Sequence, residues 1–139
     1  MKTLFNWMVV ATLLTYTGCS KKDAAVTDAT AISNQLTASS WGVHYLFYNS
    51  DQTKAFTPYA FTFRKDSSLT VAGTNESFSG TWYTKKQNDG SVQLTINITS
   101  LTQIQLINNN WKIISNDGAL IIMKDYDAAS TREFHLFRL

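Results

Sequence analysis

The chain has 139 residues, 44% hydrophobic, 13% aromatic and 16% charged, with 12 Lys+Arg against 10 Asp+Glu and a formal net charge of +2. That length fits one small globular domain plus a short extra segment, and so even a charge balance, without a dense basic run, argues against a nucleic-acid partner. A single Cys excludes a disulfide framework and a thiolate metal cluster.

The N-terminus reads Met1-Lys2-Thr3, followed by an apolar run from Leu4 to Leu14 broken only by Asn6 and Thr12. A bilayer-spanning helix needs about 20 apolar residues, so this run has the length of a secretory signal core, and residues 1–18 read as a signal peptide. The stretch Thr15-Tyr16-Thr17-Gly18-Cys19 resembles a bacterial lipobox, in which small residues precede a Cys that is acylated, and Cys19 is the one Cys of the chain. The resemblance implies lipidation at Cys19 with palmitate-class acyl chains, and a lipoprotein of the cell envelope. Ser20 stands where Asp would mark inner-membrane retention, so by the same resemblance the protein goes to the outer membrane, on its periplasmic or its surface-exposed face. A diacylglyceryl group with an N-acyl chain anchors permanently, whereas one chain alone binds only marginally.

From Ser20 to Ala31 the residues are almost all Ala, Thr, Asp and Lys, with Val26 the single large apolar side chain. Such a segment buries too little surface to offset its ordering entropy, so residues 19–31 are expected to form a flexible tether. Ile32 and Leu36, four apart, with Ser33 as a cap, predict one or two helical turns over Ile32–Ser39.

From Trp41 onward the pattern changes to period-2 alternation. Trp41, Val43, Tyr45 and Phe47 share one face of a first strand; Tyr59, Phe61 and Phe63 alternate with Ala60, Thr62 and Arg64 in the next. Asp66-Ser67-Ser68 turns the chain into Leu69–Ala72, and Ser79–Lys85 carries Trp82. Asn88-Asp89-Gly90 joins that strand to Val92–Ile98, and Asn116-Asp117-Gly118 joins Trp111–Ser115 to Leu120–Lys124; both are hairpin signals. Thr131–Arg138 closes the sequence. Eight strands at a spacing of about twelve residues predict an all-β fold over 32–139 with a short N-terminal helical turn, an eight-stranded antiparallel up-and-down barrel or a sandwich. The segment 99–110 is long for a hairpin loop and reads as a lid, a ninth short strand or an extension of its neighbour.

Trp41 opening the first strand, Phe61-x-Phe63 before a charged turn, Gly80-Thr81-Trp82, Trp111 before a hairpin and the final Phe134-x-Leu136-x-Arg138 together resemble the lipocalin-like domains of Gram-negative outer-membrane lipoproteins. The resemblance spans 41–139 and implies a barrel whose end is closed by Arg138 packing on Trp41, with Trp82 a further structural residue.

In an eight-stranded barrel the size of the inward side chains decides whether a ligand fits. With Trp41, Tyr45 and Phe47 inward, together with Tyr59, Phe61, Phe63, Trp82 and Phe134, aromatics of ~150–250 Å² each crowd the interior. That leaves a shallow cleft at the open end, and Tyr45, Phe47, Tyr59 and Phe61 are the candidate contacts for a small lipophilic ligand. His44 and His135 lie on strands whose alternate residues are apolar and are read as facing away from the core. No H-x-H or H-x-x-x-H spacing, G-x-S-x-G elbow or phosphate-binding Gly loop occurs, so no catalysis, metal or cofactor is expected. Asn75-Glu76-Ser77 and Asn97-Ile98-Thr99 match a glycosylation pattern that carries no meaning in a bacterial lipoprotein. Two functions remain: a membrane-anchored carrier of a small lipophilic ligand, or a non-catalytic, lipid-tethered interaction module with a filled barrel. The second contacts protein or glycan through residues such as Tyr48, Phe56 and Phe78.

Overall fold

The computed structural model describes residues 28–139. The signal peptide at 1–18, Cys19 and most of the tether at 19–31 lie outside the described residues. Helix α1 spans Ala29–Ala38, and Asp28 caps it by accepting a hydrogen bond from the Thr30 N–H at 2.8 Å. The helix therefore begins inside the segment read as tether, and its cap is Asp28 and not Ser33; an Asx side chain before a run of Ala and Thr satisfies the free N–H groups of the first turn.

Nine strands follow: β1 Ser40–Tyr48, β2 Ser50–Asp51, β3 Ala60–Phe63, β4 Ser68–Ala72, β5 Ser77–Lys86, β6 Val92–Ile98, β7 Asn109–Asn116, β8 Leu120–Asp125 and β9 Glu133–Arg138. A four-residue helix α2, Thr53–Phe56, connects β2 to β3, and a 3-10 turn, Gln103–Ile107, connects β6 to β7. The strands pair antiparallel in the order β2-β1-β3-β4-β5-β6-β7-β8-β9, and β1 also pairs with β9. That last pairing closes eight strands into a barrel and leaves β2 as a short flap on β1, folded back at Asn49, a residue tolerated in the left-handed conformation it adopts (φ 59°).

The inward faces form one core. Phe61 meets Phe134 edge-on at 6.1 Å between ring centroids, Phe134 tilts against Trp111 at 5.3 Å, and Phe63 packs edge-on against Trp82 at 5.2 Å. Such aromatic pairs contribute ~0.5–1.5 kcal/mol each beyond the area they bury. Both ends of the barrel are plugged. At one end α1 inserts Ile32 and Leu36; at the other α2 inserts Phe56 and the 3-10 turn inserts Ile104 and Ile107, all buried. The two plugs at the second end are joined by Gln103 Nε2 donating to Gln52 Oε1 at 3.1 Å.

One expectation about register is corrected. Between Val43 and Tyr45 the pairing of β1 with β9 shifts by a residue. Trp41 and Val43 point inward, but beyond this bulge at His44 the inward residue is Leu46, paired with Phe134, while Tyr45 and Phe47 pair with His135 and Glu133 on the outer face. One extra residue on one strand exchanges the two faces for everything that follows it.

Candidate functional site

The four residues singled out as ligand contacts are not brought together. Phe61 is fully buried in the core, Tyr45 and Phe47 lie half-buried on the outer wall, and Tyr59 sits at the rim beside Glu76, to which its hydroxyl donates. That hydrogen bond raises the Tyr59 pKa. Tyr45 tilts against His135 at 5.2 Å, and His44 stacks on His135 at 6.1 Å with rings 8° apart. His135 Nε2 lies 2.6 Å from Glu133 Oε1, so both His residues belong to an outer-wall cluster. Among the described residues no group of three or more His, Cys, Asp and Glu could hold a metal ion.

Register places Trp41 directly opposite Arg138, yet Arg138 is solvent-exposed and Trp41 is buried. The Trp41 indole N–H donates to the Leu36 carbonyl oxygen at 3.1 Å, so α1 covers this tryptophan. Trp82 is buried and donates its indole N–H to the Arg64 carbonyl at 3.0 Å, tying β5 to the β3–β4 turn. Phe56 is a plug residue and not an exposed contact; Tyr48 and Phe78 are half-buried.

Sequence reading missed Arg132. Its guanidinium lies 4.6 Å from the Tyr48 ring centroid and 5.3 Å from that of Trp111. Nη2 donates to the Leu106 carbonyl at 2.6 Å, and Nη1 lies 3.8 Å from Asp125 Oδ2. Alternation places Arg132 within a last strand over Thr131–Arg138, but that strand begins at Glu133, and only the fold shows that Arg132 ties the 3-10 turn to the barrel rim. Burial alone pushes the Asp125 carboxyl up, but hydrogen bonds from the Asp127 N–H and Ser130, with the Arg132 charge, hold it below its usual value.

Among the described residues, clefts open on the outside of this filled barrel. The one beside Arg132 has about 320 Å³ and is lined by Tyr48, Gln105, Leu106 and Asn108. A second, of about 270 Å³, lies between Pro58, Tyr59 and the β4–β5 turn residues 73–76. The third, of about 340 Å³, lies between α1 and the β3–β4 turn, with Trp82 at its floor. The barrel has a solved counterpart. A DUF4847 family protein from Bacteroides vulgatus ATCC 8482, known from a crystal structure, is similar to this chain with a TM-score of 0.53 at 14% identity, over 76% of this chain and 96% of that one. At that identity the likeness is one of fold. No family model matches the sequence, and no curated protein matches it.

Proposed function

We propose that the protein is a lipid-anchored module of the outer membrane, attached through Cys19, whose filled lipocalin-like barrel is a non-catalytic scaffold and whose binding surfaces lie on its outside. The packed interior carries this reading: Trp41, Phe61, Phe134 and Trp111 are fully buried inside, and both ends are closed by Leu36, Phe56 and Ile107. A lipophilic molecule could enter the axis only by displacing those plugs, and their burial stabilises the barrel by roughly 1.5–3 kcal/mol per large apolar side chain. The partners this supports are a membrane through the anchor, and a protein or a glycan at the exterior clefts.

A second reading, a small lipophilic ligand, is favoured by the cleft beside Arg132, where Tyr48 and Leu106 offer apolar surface at the barrel rim. Native mass spectrometry with lipid extraction of the protein from its own membranes separates the two. An empty barrel supports the scaffold; a stoichiometric lipophilic molecule supports the carrier. Cys19→Ser tests the anchor, with loss of palmitate labelling and of membrane fractionation expected; a variant that keeps both overturns it.

A further inference from the structure

The cleft between α1 and the β3–β4 turn has an ordered set of polar groups at its walls. Thr84 Oγ1 donates to the Ala29 carbonyl at 2.9 Å, which uses its one proton. Ser33 Oγ, 2.5 Å from Thr84 Oγ1, must then be the donor of that pair, and Thr37 Oγ1 donates back to the Ser33 carbonyl at 3.0 Å. All three hydroxyls therefore have their proton committed within the protein and can meet a ligand only as acceptors. The β3–β4 turn across the cleft supplies donors, and α1 adds one more: among the described residues the Lys65 ammonium and the Ser67 hydroxyl on the turn, and the Asn34 side-chain amide on α1, make no hydrogen bond, and all lie at the cleft. Asp66, next to Lys65, is turned away: its carboxylate accepts from the Ser68 N–H at 2.9 Å and from the Ser68 hydroxyl at 2.6 Å. No carboxylate lines the cleft. Tyr83, 50% exposed, offers an aromatic surface at the rim.

Ser67 is also held in a left-handed conformation, φ 67°, that a residue with a Cβ seldom adopts; its carbonyl is fixed by the Trp82 N–H at 3.0 Å. A glycine would fit the backbone with less strain but would present no hydroxyl.

We propose that this cleft binds a sugar ring carrying an anionic substituent. Resting on the exterior-scaffold reading above, this names the ligand class of one of its clefts. A fully deprotonated anion such as sulfate has only acceptors to offer and would meet the acceptors Ser33, Thr37 and Thr84, and inorganic phosphate brings at most two hydroxyls and no apolar face for Tyr83. An apolar ligand would leave both walls unpaired. A sugar hydroxyl donates to one wall and accepts from the other, the Tyr83 ring offers apolar surface to a sugar face, and Lys65 neutralises the charged group. The volume of about 340 Å³ is at the small end of ligand sites, which run ~300–1,000 Å³. The ligand is either a free saccharide or the headgroup of a glycolipid. With Cys19 in the membrane, the chain from Cys19 to Asp28 reaches at most about 30 Å at ~3.3–3.6 Å per residue, which keeps α1 close to the bilayer surface.

The test is titration of the full chain, in lauryldimethylamine oxide because that detergent carries no sugar, with glucose 1-phosphate, glucuronate, glucose and inorganic phosphate, followed by amide NMR. Both anionic sugars should shift Asn34, Ser67 and Tyr83. Lys65→Met should weaken them about tenfold, and Ser67→Gly should weaken them with no loss of thermal stability. Equal binding of glucose removes the anionic element, equal binding of phosphate removes the sugar, and no shift with any probe overturns the proposal. Phosphatidylcholine vesicles with and without lipid A, whose headgroup is a phosphorylated disaccharide, separate the sources: recruitment by lipid A that glucose 1-phosphate competes away assigns a glycolipid, and binding of the free sugars without recruitment assigns a soluble saccharide. Native mass spectrometry of protein purified without added sugar reports on the scaffold reading independently, because a co-purified lipophilic molecule retained equally by Lys65→Met would overturn that reading, and a bare protein mass would leave it standing whatever the sugars do.

Discussion

The indole N–H of Trp41 donates to the Leu36 carbonyl oxygen at 3.1 Å, a buried hydrogen bond between the first strand and the last turn of the helix that closes the barrel. A helix leaves its final carbonyls without intrahelical partners, and this one is met by a core tryptophan. Trp41→Phe keeps most of the apolar volume but strands the carbonyl. We expect a loss of about 1–3 kcal/mol in urea denaturation, with faster hydrogen exchange across α1; an unchanged midpoint and unchanged exchange would show that α1 does not depend on this contact.

Arg132 holds the 3-10 turn by donating to the Leu106 carbonyl at 2.6 Å while lying over Tyr48 and Trp111. Arg132→Gln removes the latch and the partner charge of Asp125. Stability should fall by about 1–3 kcal/mol, with hydrogen exchange rising selectively at 103–107 and the α1 end unaffected. Uniform loosening of both ends would contradict a local role.

The bulge at His44 sets which residues of β1 enter the core. His44→Ala leaves the inserted residue in place and should change stability by no more than about 0.5 kcal/mol, since the side chain is exposed. Deleting His44 should remove the bulge and still allow cooperative folding, because Tyr45 then follows Val43 directly opposite His135 and Leu46 stays inward against Phe134. Loss of native circular dichroism and of a cooperative melt in the deletion would disprove that assignment.

Gly80 lies where β5 and β6 approach so closely that an added Cβ would collide with the Asn97 carbonyl oxygen and sit 3.0 Å from the Ile98 Cα, both backbone atoms. Gly80→Ala should therefore cost at least about 1–3 kcal/mol, as overpacking does. Gly90 has open space around it but a φ of +81°, so Gly90→Ala should cost a smaller amount, about 1 kcal/mol, from backbone conformation alone. Thermal melts of the two variants give the ranking directly, and the reverse order would refute it.

Several turn carboxylates are held below their ordinary pKa by the groups they accept from. Asp89 is lowered to about 2 by the Ser91 hydroxyl and N–H and by Lys112, Asp66 is lowered by Ser68, and Asp117 by the Leu120 and Ala119 N–H groups. A depressed folded-state pKa means that the unfolded chain takes up protons first, so this stabilisation is full above the ordinary carboxylate value of 3.8 and is lost as pH falls toward about 2. Urea midpoints should be level above pH 5 and decline below pH 4 (~1 unit either side of a free carboxylate), with a shallower decline in Asp89→Asn. A parallel decline in wild type and variant would mean that Asp89 does not contribute.

Local rules made most of the barrel legible. Alternation in Val92–Ile98 and the two Asn-Asp-Gly turns gave strands and hairpins whose partners are neighbours in sequence, so their pairing needs no distant information. The same locality explains the errors at the site. Tyr45 and Phe47 follow a one-residue bulge that alternation does not report, because Tyr and Phe suit either face of a strand. Phe56 and Ile104 stand in short irregular connections without a period, so nothing in the sequence marks them as plugs.

The sequence by itself therefore determined an all-β chain of eight barrel strands with an N-terminal helical turn, because hydrophobic period and turn chemistry act within a few residues. Only the tertiary structure decided that the bulge at His44 turns Tyr45 and Phe47 outward, that the barrel is stoppered at both ends and that its polar clefts lie outside. Those outcomes depend on how the closed sheet brings residues such as Ser33 and Lys65, distant in the chain, to opposite walls of one cleft.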